Sequence, residues 1–185
     1  MDSLSSEIQS ILKTILLSRK DVALLACQQR AKFEGWLKFE LASALKGKVD
    51  FDKIILEDSY VTNGRADISF EHAGSKWFVE MKTANTNWRA ENLENLSRPV
   101  TRNMDGIAED IIVLREKSAP ARGLAVFCIF PIPDRLWKNT RDQLNYHLRR
   151  IEEAGKLTQN ALVDNAEFVE TTADFGICTF AVEIP

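Results

Sequence analysis

The run Leu124-Ala125-Val126-Phe127-Cys128-Ile129-Phe130 has no polar residue to turn toward water, so as a strand it must be covered on both faces. Upstream, Ile107, Ile111 and Leu114 recur at helical spacing from about Asp105 to Lys117, before Pro120. Before that comes a strand-like run, Lys76 to Thr83. Strand, helix, strand in this order implies a crossover and a parallel pair. An α/β fold with a mixed sheet is therefore expected. With 185 residues and 45% hydrophobic content, the chain can bury one substantial core.

The remaining segments fit around that unit. Leu4, Ile8, Ile11, Leu12 and Ile15 mark an amphipathic helix within residues 1–20, an accessory element whose stripe must pack on the rest of the chain or on a second copy. Asp21 is a plausible N-cap for one long helix reaching about Lys46, stopped by Gly47, and opens the main domain, 21–185. Phe51 to Thr62, Arg65 to Glu71 and Lys76 to Thr83 read as a three-strand antiparallel meander. Trp137, Leu144, Leu148 and Ile151 form the stripe of a third core helix ending near Gly155. Glu167 to Thr171 and Phe175 to Ile184 supply closing strands.

Composition narrows the partners. A net charge of -3 and a pI near 5.5 leave no broad positive field, so nucleic-acid binding must come from local basic patches or a metal. Cys128 and Cys178 lie in apolar runs, as buried thiols of a reducing compartment do, and His72 and His147 make no metal pattern. No secretory h-region or membrane-length apolar run is present, so a cytoplasmic location without membrane contact is expected.

The chemistry concentrates in the second hairpin. If Ala73 and Gly74 are its central turn residues, paired positions sum to 147 and Asp67 stands across from Glu80. By period-2 counting Asp67, Ser69, Glu80 and Lys82 share a face. Opposed carboxylates about 4.5 to 5.5 Å apart at Cβ are destabilising unless a cation or a proton lies between them. Hard oxygen donors without nearby histidine or cysteine favour Mg²⁺ or Mn²⁺. Lys82 adds an ammonium that can orient water and stabilise charge on a phosphate.

Gly64-Arg65-Ala66-Asp67-Ile68 followed by Phe78-Val79-Glu80-Met81-Lys82, after a glutamate-bearing helix and before helix, strand and helix, resembles the PD-(D/E)xK nuclease superfamily. The likeness in element order covers about residues 22 to 184, with Ala66 where the motif's proline would stand. It implies a restriction endonuclease-like three-layer core, a central mixed β-sheet flanked by helices with an extra N-terminal helix. It also implies a metal-dependent nuclease, with Asp67 and Glu80 as metal ligands and Lys82 in catalysis. The family usually adds an acid from the first helix. Glu34 and Glu40 border the apolar stripe on opposite sides, and periodicity does not choose between them. Resemblance to resolvase-like members inclines the choice to Glu34.

Nucleic acid, DNA first, is the partner so implied, together with a homodimer or a partner protein that selects the site. The segment Asn85 to Asn103 carries Trp88, Arg89, Arg98 and Arg102, which could stack on a base or grip phosphates. A loop or a short helix over Ala90 to Leu96 is the plainer reading. Arg135, Lys138, Arg149 and Arg150, mixed with Asp142 and Glu153, read as a solvated helix face. The rival to an enzyme is a catalytically silent binding or assembly module on the same fold.

Overall fold

The computed structural model describes residues 3–60, 63–91, 93, 100–139 and 141–184. Its sheet contains β1 (Phe51–Ser59), β2 (Arg65–His72), β3 (Ser75–Asn85), β4 (Arg122–Pro133), β5 (Glu167–Glu170) and β6 (Phe175–Ile184), in the order β1-β2-β3-β4-β6-β5. β1, β2 and β3 form the antiparallel meander, β3 and β4 are parallel, and β6 is antiparallel to both β4 and β5. The apolar run occupies the centre. Leu124, Val126, Cys128 and Phe130 face one core, and Ala125, Phe127 and Ile129 face the other.

Helices cover both faces. On the first lie α1 (Leu4–Ser18), α2 (Lys20–Gln29) and α3 (Glu34–Lys46). On the second lie α4 (Val100–Lys117), which makes the β3-to-β4 crossover, α6 (Asp142–Ala154) and the short α7 (Ala161–Asp164), with α5 (Asp134–Lys138) at the end of β4. Burying a large aliphatic or aromatic side chain contributes about 1.5–3 kcal/mol, so a strand apolar on both sides is most stable in the middle. Among the described residues no helix is long and apolar enough to cross a membrane.

The first helix uses its stripe within the chain. Leu4, Ile8, Ile11, Leu12 and Ile15 are buried against the sheet at β5 and β6, and Gln9 donates to the carbonyls of Asn165 (2.6 Å) and Thr179 (2.8 Å). Of the two expected coverings, the stripe thus takes the rest of its own chain.

Three expectations need correction. The single helix from Asp21 to Lys46 is two, α2 and α3, because Arg30 turns left-handed (φ 46°, ψ 37°). A side chain in that conformation costs about 1–2 kcal/mol. The guanidinium of Arg30 is buried and donates to the carbonyls of Thr86 and Trp88, while its own carbonyl accepts from Asn85 Nδ2 at 2.7 Å. Hydrogen bonds from a charged group contribute about 1.5–3 kcal/mol each, enough to hold the break. The third core helix is likewise divided. Trp137 belongs to α5, where its ring stacks on Phe168 at 5.1 Å under the Arg141 guanidinium, rather than to the stripe of α6. Finally, the long connection after β3 closes earlier than Asn103, since α4 already begins at Val100. Val61, Thr62, Arg98 and most of the Ala90 to Leu96 stretch lie outside the described residues.

Candidate functional site

The β2–β3 turn has left-handed backbone at both Ala73 (φ 49°) and Gly74 (φ 74°), the geometry of a type I′ turn, which matches the twist of the flanking strands. Phe70↔Trp77, Ser69↔Phe78 and Ile68↔Val79 follow the expected register. There the bonded ladder stops, one step before Asp67 and Glu80. The amides of Met81 and Thr83 face a gap instead of a neighbouring strand. Buried amides without partners are costly, and here carboxylates take them: Asp67 Oδ2 accepts from Met81 N at 2.8 Å, and Glu34 Oε2 from Thr83 N at 3.0 Å.

This opening brings four expected residues together. Asp67 and Glu80 approach closely. Burial first, then the charges of Asp67 and Asp110, push the Glu80 carboxyl up to about 7, against the lowering effect of a hydrogen bond from Tyr60 Oη (2.5 Å). Lys82 reaches Asp110 Oδ2 at 2.8 Å. Burial works against its charge, but that hydrogen bond and the fields of Asp110, Glu34 and Glu80 hold its pKa above the ordinary value. Burial likewise raises Asp110, against the opposing effect of Lys82.

Glu34 and Glu40 now separate. Glu34 opens α3 at the gap, whereas Glu40 accepts from Trp36 Nε1 (3.1 Å) and lies 3.9 Å from Arg19 Nε. Trp88 is half-buried, with its ring 6.2 Å from that of His147. Arg89 is exposed beside Asp134 and Arg135 in a cleft of about 430 Å³, and its carbonyl accepts from Arg135 at 3.3 Å. Arg102 is exposed on the first turn of α4. Of the basic residues around α5 and α6, Lys138 pairs with Asp134 and Arg150 with Asp105, as on a solvated face.

Sequence reasoning missed Lys38, Glu57, Tyr60 and Asp110. Lys38, one turn after Glu34 on α3, bridges Glu57 and Asp67, with Asp67 Oδ1 at 3.2 Å. Asp110 lies on α4 and holds the Lys82 ammonium. Gly106 lies one turn before it in α4, and a Cβ built there would stand 3.5 Å from Lys82 Cε. At that distance a Cβ would make only ordinary van der Waals contact, so the glycine does not single out Asp110.

The donor set fits a hard divalent cation in one respect: Asp67 and Glu80 are opposed acids whose mutual repulsion is relieved by a proton or a metal. It is not a finished cage. Among the described residues no three histidine, cysteine or acidic side chains are grouped so that they could hold a metal ion. Glu34 is committed to Thr83 N and Asp110 to Lys82. Comparison with protein families and with curated proteins finds no match to this chain.

Proposed function

We propose that the chain is a Mg²⁺- or Mn²⁺-dependent phosphodiesterase acting on nucleic acid, DNA first, built on a restriction endonuclease-like core. The observation that carries this reading is the parted edge of β3, where Asp67 and Glu80 face each other with Lys82 two residues on and Glu34 at the start of α3. Asp67 and Glu80 would hold the ion, with Glu34 completing its surroundings. When bound, such an ion polarises a phosphoryl oxygen and makes a water more acidic. Lys82 orients that water, and Asp110 sets where its ammonium lies. A chain of net charge -3 draws no nucleic acid by its overall field, so a bound cation would also lower the repulsion between site and phosphate. A second copy or a partner protein would then select where the site acts.

One observation favours a silent binding module instead: both ammoniums at the site are already paired to acids, Lys38 to Asp67 and Glu57, and Lys82 to Asp110. Incubating the protein with linear, circular and branched DNA and with RNA, in Mg²⁺ and in Mn²⁺, separates the two. The enzyme reading expects cleavage by the parent. Lys82→Ala should lower it by about 100-fold or more while Mn²⁺ affinity stays within a few-fold. Binding without cleavage in either ion would favour the module.

A further inference from the structure

Asp67 has a like charge on each flank. Glu80 lies on the β3 side. On the other side Leu56↔Ile68 and Asp58↔Ala66 are paired, which sets Glu57 of β1 across from Asp67. Lys38 closes that second flank, its ammonium shared between Glu57 and Asp67 Oδ1 and its side chain only 15% exposed. Asp67 does not depend on Lys38 for orientation, because Oδ2 is fixed by the Met81 amide.

We propose that Lys38 is the resident counter-cation of the metal-free site, which yields Asp67 Oδ1 to an incoming divalent ion and remains on Glu57. This rests on the metal reading above. Glu57 is the more exposed partner, half open to solvent, so a displaced ammonium keeps one carboxylate and gains access to water rather than being left bare in the interior. Charge balance points the same way. When ionised, Glu34, Glu57, Asp67, Glu80 and Asp110 exceed Lys38 and Lys82 by three negative charges, equal to the net charge of the whole chain, -3. A dication therefore enters a site still short of positive charge with Lys38 in place, and the lysine needs only to change partners.

The test uses the full chain and Mn²⁺ alone, by titration calorimetry and by melting with and without chelator. Lys38→Met should bind Mn²⁺ roughly fivefold more tightly, the equivalent of an ion pair of about 1 kcal/mol, and should melt below the parent in chelator but level with it in metal. Lys38→Arg, whose fork spans both carboxylates, should bind Mn²⁺ more weakly, and it guards against a methionine variant that fails to fold. Glu57→Gln should weaken Mn²⁺ binding several-fold in the parent and hardly at all beside Lys38→Met, because Glu57 acts by receiving the lysine. Mn²⁺ affinity within twofold of the parent in Lys38→Met, or an equal Glu57→Gln effect in both backgrounds, overturns the proposal and leaves the metal reading intact. No heat and no melting shift in the parent or any variant removes the metal reading and this proposal together.

Discussion

Strand β3 has two unlike edges. Toward β4 it is matched residue for residue from Trp77↔Arg122 to Asn85↔Phe130, and past Arg122 and Gly123 the neighbouring β4 side chains are apolar. Toward β2 the bonded pairs end at Ile68↔Val79, and the space beyond collects Asp67, Glu34, Glu80 and Lys82. Where backbone pairing is complete, nothing polar is required of the side chains. Where it stops, the freed amides call for acceptors, and carboxylates that supply them bring charge into a half-buried place. The paired edge serves stability, and the parted edge gathers opposed charges.

The largest effect should come from damaging the paired edge. Phe127 lies beside Lys82 in the β3–β4 register but points into the second core, stacked on Phe180 at 4.6 Å. Phe127→Ala should cost about 3–5 kcal/mol in urea unfolding, as deletion of a buried aromatic does. A cost under about 1 kcal/mol would mean that this edge is not what holds the fold.

At the parted edge the sign should reverse. Because burial and Asp67 raise the Glu80 carboxyl in the folded state, its protonated form favours folding. That contribution is complete below the ordinary carboxyl value of 4.5 and is lost as pH rises through about 7. In chelator, Glu80→Gln should therefore be more stable than the parent at pH 8 by about 0.5–2 kcal/mol, with allowance for solvent screening, and the gap should close toward pH 4. Parallel melting curves across that range would mean that the two acids do not repel.

The smallest effect belongs to the glutamate that the fold turns away. Glu40→Gln should change stability by less than about 0.5 kcal/mol, as an exposed ion pair does, and should leave Mn²⁺ binding unaltered in calorimetry. A several-fold loss of affinity would return Glu40 to the site.

Much of this contrast is legible in the residues. The apolar run places β4, the crossover pattern makes β3 its parallel neighbour, and Ala73-Gly74 sets the register that brings Asp67 to Glu80. These depend on local periodicity and turn chemistry. Arg30 is different, because neither glycine nor proline marks the break between α2 and α3. Its cause is the carbonyls of Thr86 and Trp88, more than 50 residues away. Lys38 and Asp110 look like ordinary charges on helix borders until the helices dock on the sheet. The choice between Glu34 and Glu40 likewise needed the true start of α3, which periodicity in a supposed longer helix could not supply.

Arg30 also makes the connector between two helices a measured length. Its guanidinium is fastened to the chain just after β3 and its carbonyl to Asn85, so residues 31–33 join one anchored point to another, Glu34 being held on the Thr83 amide. Residues 31–33 are not helical, so one inserted or deleted there would make the link bulge or pull the first turn of α3, and with it Glu34, away from the Thr83 amide. The amide would then lose its carboxylate, although every letter of the helix stayed the same. Changes of composition at Ala31 and Lys32, both exposed, are thus mild beside a change in their number. At Ala31 and Lys32, spacing rather than identity is the property that mutation must leave untouched, whereas Phe33 is held by its own packing on Phe130.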